Sequence, residues 1–314
     1  MSKPMNQKNP KTIHGIIPPM LTPLLSDWTL DHEGTRRLVD HMIDGGVHGI
    51  FILGTTGEST SLSYQTRREL IEETTSHVNG RVPILVGITD TSIEESLNLV
   101  SLAHDFGADA VVAAPPFYFQ LGQEELYEFY WDLADRSKLP IFLYNMPSMT
   151  KISMSIDTAE RLSKHQNIIG LKDSSANTVY FQKLRYTIKK DDFALFVGPE
   201  EIMAETVLMG GNGGVNGGAN LFPKLYVRMY EAALAHDFDT IKVLQRQILE
   251  ISSLLYTVGR FDSSYLKGLK GAASLLGICG NYLAPPLKPF LEKEMEQIKN
   301  NLELINKKLN KILS

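Results

Sequence analysis

The stretch Asn167–Asn177, NIIGLKDSSAN, decides how the rest of the chain is read. Ile168, Ile169, Gly170 and Leu171 make an apolar run of strand length. Asp173, Ser174, Ser175 and Asn177 carry short polar side chains of the kind that cap the first turn of a helix. A strand running into a capped helix is one βα unit. Lys172 falls at the joint, where an unpaired charged ammonium costs several kcal/mol to bury.

The same pattern repeats outward from this unit. Apolar runs occur at HGIIPPML (14–21), GIFILG (49–54), PILVGI (83–88), AVVAAPP (110–116), PIFLYN (140–145), IIGLKD (168–173), ALFVG (194–198) and GGVNGG (213–218). Most are apolar throughout, as strands covered on both faces should be. Amphipathic segments lie between them, such as DHEGTRRLVDHMIDGG (31–46) and SIEESLNLVSLAHDFGA (92–108), the latter with Gly107 as its stop. Units of this kind recurring over about 220 residues predict an α/β fold, a (β/α)8 TIM barrel. A doubly wound open sheet is the rival, but no GxGxxG follows the first run. Beyond residue 222 only helical periods remain, with the break APP at 284–286 before the last. The expected organisation is a loose tail over 1–12, a barrel over 13–236 and a C-terminal helical extension over 237–314.

Composition narrows the function. Hydrophobic residues at 43% and charged residues at 21% are ordinary for a globular protein, and a net charge of −5 offers no basic footprint for nucleic acid or an anionic membrane. The N-terminal segment lacks an apolar core, and no run approaches the roughly 18 residues of a membrane span. The expected location is the cytoplasm. The one cysteine, Cys279, excludes an internal disulfide and a Cys-rich metal site, and reads as a small buried hydrophobe. No His, Cys, Asp or Glu trio has metal-ligand spacing, and His14, His48, His77, His104 and His165 sit near strand starts or helix ends.

In such a barrel the chemistry sits at the C-terminal ends of the strands. That rule selects Pro18, Pro19, the segment Gly54–Glu58, Tyr118, Tyr144, Asn145, Lys172, Asp173, Gly198, Val215 and Asn216. A lysine there, beside tyrosine and threonine, suits covalent amine catalysis. With a free pKa near 10.4, only about one lysine in 10³ is neutral at pH 7, and desolvation at a barrel mouth raises that fraction. The neutral amine attacks a ketone to give an imine, which stabilises a carbanion at the next carbon without metal or organic cofactor. Spacing alone leaves three orientations open: Lys172 facing the barrel, facing solvent, or paired with Asp173. Tyr144 could equally be a packed core aromatic, and GTTGES only a capped strand–helix joint.

Together, GTTGES (54–59), YNMPS (144–148) and GLKDSS (170–175) resemble the dihydrodipicolinate synthase / N-acetylneuraminate lyase family, class I Schiff-base lyases of 2-oxo acids on a (β/α)8 barrel. PPFYF (115–119), GGNGGVNGGAN (210–220) and LKGLKGAASLLG (266–277) extend the resemblance from about residue 13 to 300. It implies that Lys172 forms the imine with pyruvate or a related 2-oxo acid and that Tyr144 is the general acid/base. It implies that Thr55 and Thr56, with backbone N–H groups of the loop at Gly57, bind the carboxylate. Thr56 also counts with Lys172, Tyr144 and Tyr118 among the catalytic groups. Tyr118 matches the tyrosine that, in the synthases, reaches into the neighbouring subunit's site and completes a Thr–Tyr–Tyr proton relay, which implies at least a dimer; family precedent implies a homotetramer built as a dimer of dimers. Gly198, Val215 and Asn216 would line the pocket.

The chain also departs from the synthases. Their YNxPxR segment carries an arginine for the carboxylate of aspartate semialdehyde; here Met149 holds that position, with Lys151 where glycine often follows. Tyr64 and Thr91 replace the histidine and asparagine of lysine-regulated members, which counts against feedback by lysine. Met149, Ser148 and Asn216 suit a neutral polyhydroxy chain better than a second carboxylate. The expected activity is therefore a pyruvate-forming aldolase acting on a 2-keto-3-deoxy sugar acid, its partners being pyruvate and an aldehyde. The alternatives are 4-hydroxy-tetrahydrodipicolinate synthase, a 2-keto-3-deoxy acid dehydratase or deaminase, and a non-catalytic 2-oxo acid sensor.

Overall fold

Two prolines shape the first strand. Pro18 and Pro19 have no N–H for a ladder, so in the computed structural model, which describes residues 13–313, β1 spans only Gly15–Ile16. The tail expected over 1–12 lies outside the described residues. The other strands are β2 Ile50–Ile52, β3 Ile84–Gly87, β4 Ala110–Ala113, β5 Ile141–Asn145, β6 Ile168–Asp173, β7 Ala194–Val197 and β8 Gly213–Gly214. All neighbours are parallel, in the order β1-β8-β7-β6-β5-β4-β3-β2. The ring closes between β1 and β2 through His48 N–H to Ile16 O (2.8 Å), Phe51 N–H to Pro18 O (3.0 Å) and Met20 N–H to Phe51 O (2.8 Å). This is the TIM barrel the apolar runs predict.

The helices alternate with the strands: α1 His32–Asp44, α2 Tyr64–Val78, α3 Ile93–Asp105, α4 Gln123–Arg136, α5 Pro147–Thr150, α6 Ile156–Ser163, α7 Thr178–Thr187, α8 Met203–Leu208 and α9 Pro223–Leu234. Side-chain caps fix where many begin: Asp31 accepts from Gly34 N, Ser63 from Thr66 N, Ser92 from Glu95 N, Ser155 from Thr158 N and Asn177 from Tyr180 N. Each such cap contributes about 1 kcal/mol. Gly107 follows α3 at φ 86°, the left-handed conformation that lets glycine end a helix. Three more helices make the C-terminal extension, α10 Phe238–Leu255, α11 Ser264–Leu275 and α12 Glu292–Leu313. None of the described helices is long and apolar enough to cross a membrane.

Alternation along the strands divides the apolar side chains between two cores. Ile52, Val86, Val111, Leu143, Leu171 and Leu195 face the helices. Ile17, Phe51, Leu85, Val112, Phe142, Tyr144, Phe196 and Val215 fill the barrel interior. Strand β6 breaks its own alternation once. Ile141 pairs with Ile168, but Phe142 pairs with Gly170, so Ile169 is an extra residue, a β-bulge. Because side chains alternate with period two, one added residue exchanges the faces of everything after it. Without Ile169 in the bulge, Lys172 would follow Ile168 and Gly170 onto the helix side. With it, Lys172 lies in register with the inward-facing Tyr144. The bulge aims Lys172 into the barrel.

Candidate active site

Lys172, one residue before the end of β6, is only 6% exposed, its Nζ 4.1 Å from the centre of the Tyr144 ring and 5.1 Å from that of Phe51. Asp173, the next residue, faces the other way. Its carboxylate accepts Asn145 Nδ2 (2.8 Å), Ser175 N (3.1 Å) and Ser175 Oγ (2.9 Å), and burial raises its pKa against those bonds. Among the described residues, Lys172 has no carboxylate within 4.0 Å. Of the three orientations open to the sequence, the structure selects the one inside the barrel. Gly170, two residues earlier, is needed there: a Cβ would sit 2.3 Å from Phe142 Cε1 and 2.5 Å from Ala194 O.

Tyr144 is 4% exposed, and its hydroxyl lies 3.3 Å from Thr55 Oγ1. Burial pushes this phenol up, but the charge of Lys172 and hydrogen bonding from Thr55, Ser174 and Lys172 outweigh it and leave the pKa below the ordinary value. Ser174 fits because Gly198 has no side chain; a Cβ there would be 2.1 Å from Ser174 Oγ. Gly198 also donates its N–H to Asp173 O (2.7 Å) and accepts Asn216 Nδ2 (3.0 Å), while Val215 belongs to the barrel interior. Beside these groups opens a cleft of about 200 Å³, lined among others by Phe51, Thr55, Thr89, Phe117, Tyr144 and Met149.

The structure separates the two threonines of GTTGE. Thr55 meets Tyr144, whereas Thr56 is buried and its hydroxyl lies 3.2 Å from that of Tyr265 on α11. Of the two, it is Thr55 whose hydroxyl lies beside Tyr144 in this chain. Tyr118 is 81% exposed and stacks edge-on against Phe119 at 5.2 Å. Phe117, one residue earlier, lines the cleft of its own chain. Met149 is exposed on the cleft wall, and Lys151 turns its ammonium back onto Ser148 O (3.1 Å).

The loop itself is held under strain. Leu53 and Glu58 adopt φ of 57° and 56°, left-handed values that cost a side-chain-bearing residue about 1–2 kcal/mol each. Glu58 is fixed on both oxygens: Lys270 of α11 contacts Oε1 at 2.5 Å, and Ala284 N donates to Oε2 at 2.7 Å. Lys270 is fully buried and also donates to Tyr282 O at 2.5 Å. Thr22 Oγ1 donates to Gly57 O at 2.7 Å. Breaking a buried ion pair by removing one partner strands the other charge, at about 3–5 kcal/mol. Lys270→Met should therefore destabilise the protein by that amount in chemical unfolding. A loss below about 1 kcal/mol would show that the pair does not hold the loop.

Behind the loop, Glu200 is buried, with Oε1 accepting Tyr226 Oη (2.6 Å) and Tyr256 Oη (2.7 Å) and Oε2 accepting Gly218 N (2.9 Å). Burial outweighs these bonds and pushes its pKa from 4.5 up to about 7. A carboxyl raised on folding favours the native state fully below its unfolded pKa, and loses that contribution as pH rises through its folded pKa. The stability of the parent relative to Glu200→Gln should then fall by about 3 kcal/mol between pH 4.5 and 7.5. A pH-independent difference contradicts this.

Sequence reasoning missed four residues: Tyr265 and Glu200 lie outside every quoted motif, and Ser174 and Lys270, inside GLKDSS and LKGLKGAASLLG, were given no role at the site. Tyr265 and Lys270 lie on a helix whose period looks like any amphipathic segment, and only the fold brings them to the loop. Cys279 is buried as expected, its thiol pushed up by burial to about 11. Among the described residues no cluster of His, Cys, Asp or Glu could hold a metal.

Comparison with known proteins agrees with the motifs. The dihydrodipicolinate synthetase family model matches residues 12–305. A solved structure described as dihydrodipicolinate synthase from Bacteroides thetaiotaomicron is 55% identical, with a TM-score of 0.91 over 93% of this chain and 98% of that one. A prophage protein of the same family from Escherichia coli K12, solved in complex with pyruvate, is 29% identical with a TM-score of 0.88, over 93% of this chain and 98% of that one. A probable 2-dehydro-3-deoxy-D-pentonate aldolase of Escherichia coli K12 is 30% identical over 92% of this chain and 96% of its own length. With the family model spanning nearly the whole chain and barrel, lysine and loop in place, the protein belongs to the dihydrodipicolinate synthetase family and is a lyase.

Proposed function

We propose that this lyase binds a 2-oxo acid through its carboxylate on the GTTGE loop and forms an imine with Lys172. The observation that carries the reading is a buried lysine amine, with no carboxylate partner among the described residues, against the ring of a tyrosine whose pKa is lowered. The loop supports the carboxylate end. Among the described residues, the N–H groups of Thr55, Thr56 and Gly57 donate to no protein acceptor, although Thr56 and Gly57 are buried. Successive free backbone donors of this kind suit an anion.

The preferred substrate is a 2-keto-3-deoxy sugar acid. The cleft wall offers hydroxyls from Thr55, Ser59, Thr60, Thr89 and Thr150 and apolar surface from Phe117, Met146 and Met149 but, among the described residues, no arginine, lysine or histidine. A second carboxylate would lack a cationic partner, whereas a polyhydroxy chain meets hydroxyls. Lys172 adds to the C2 ketone and water leaves, giving a protonated imine. Tyr144 removes the C4 hydroxyl proton, the C3–C4 bond breaks with its electrons passing to the imine, and the aldehyde departs. The enamine takes a proton at C3, and hydrolysis returns pyruvate and the free amine. Thr55 is placed to pass protons to and from Tyr144. The exposed Tyr118 would serve a second copy of the chain, consistent with the tetramer the resemblance implies.

A second reading, condensation of pyruvate with aspartate semialdehyde, is supported by the 55%-identical structure described as a synthase. A coupled assay distinguishes the two. Pyruvate release from a panel of 2-keto-3-deoxy acids is expected. Semialdehyde consumption without such release would overturn the sugar-acid assignment.

A further inference from the structure

Resting on the carboxylate reading above, we infer that Tyr265, contributed by the C-terminal extension, positions the Thr56 hydroxyl to donate to the substrate carboxylate. The phenol oxygen lies 3.2 Å from Thr56 Oγ1, and among the described residues neither group has another hydrogen-bond partner. A carboxylate only accepts, so when Thr56 serves it the threonine hydroxyl must be the donor. Its lone pair is then free to accept, and Tyr265 is the group that supplies a proton to it. Burial raises the Tyr265 pKa, so the phenol keeps its proton and its role as donor.

The surroundings hold the ring in that place. Tyr256 packs edge-on against it at 4.8 Å between centres, and Tyr256 is itself tied to Glu200 at 2.7 Å. Gly217 leaves the space the hydroxyl occupies; a Cβ there would stand 1.9 Å from the Tyr265 oxygen. Five residues along the same helix, Lys270 grips Glu58, two positions beyond Thr56. Helix α11 therefore holds the loop at two points, one through an ion pair and one through the Thr56 hydroxyl. Tyr265 acts through Thr56 and is a positioning residue.

The test is borohydride trapping at Lys172 of two ketones, pyruvate and acetone, which differ in the carboxylate. In Tyr265→Phe the half-saturating pyruvate concentration should rise about tenfold, the scale of one hydrogen bond serving a charged group, at an unchanged maximal rate. Trapping of acetone should be unchanged within about twofold. Thr56→Val should raise the pyruvate requirement at least as much, and adding Tyr265→Phe to it should change nothing further, because the two residues act as one unit. Thr56→Ser, which keeps the hydroxyl, should retain the parent value. An unchanged pyruvate requirement in Tyr265→Phe, an equal loss with both ketones, or a full additional loss in the double variant overturns the assignment while leaving imine formation intact. If the parent traps neither ketone, the imine reading fails and this inference with it.

Discussion

Lys172→Ala should abolish turnover while the barrel remains folded. Among the described residues the amine is the one strand-end group suited to form an imine with a ketone, so no neighbour is expected to replace it. Folding should survive because Lys172 has no carboxylate partner to strand among the described residues, and Asp173 already has three hydrogen bonds of its own. The heat-unfolding midpoint should stay near that of the parent, and activity should fall to background. Residual activity within about 10²-fold of the parent would mean that the reaction does not pass through this amine.

Tyr144→Phe should leave imine formation possible and slow the steps that move protons. A positioned acid/base contributes about 10² to 10⁴ in rate, and that loss is expected in kcat, with the adduct still trapped at Lys172. The pH profile carries a second signature. Because the lowered pKa of Tyr144 comes from Lys172, Thr55 and Ser174 acting against burial, the fraction able to accept a proton rises at lower pH than for an ordinary phenol near 10. The rising limb of kcat should lie below that value in the parent and disappear in the phenylalanine variant. A profile unchanged by the substitution would assign the proton transfer to another group.

Much of this molecule could be read from its apolar runs. Every strand falls inside one of them, because strands covered on both faces must be apolar throughout. The ends were less legible. HGIIPPML yields a strand of two residues because Pro18 and Pro19 cannot donate, and GGVNGG yields Gly213–Gly214, where the backbone of Gly15 comes so close that a Cβ on Gly213 would lie 1.9 Å from its carbonyl oxygen. Tyr144, Thr55 and Lys172 were placed by strand-end position and motif, and the fold brings them together. The direction of Lys172 was not legible. Ile168 and Ile169 are both apolar, so nothing in the pattern distinguishes a regular strand from one with a bulge, although that single residue decides which face carries the amine. Tyr265 was hidden for a different reason: its contact with Thr56 spans 209 positions in the chain, and it lies just outside the motif of its helix, LKGLKGAASLLG.

The central claim is that the ε-amino group of Lys172, aimed inward by the bulge at Ile169, bonds covalently to a 2-oxo acid. Intact and peptide mass spectrometry after borohydride reduction in the presence of pyruvate tests it most directly. One reduced pyruvate should be found on the peptide carrying Lys172 and on no other lysine, and none should be found on Lys172→Ala. A folded parent that carries no adduct, or carries it on a surface lysine alone, contradicts the account.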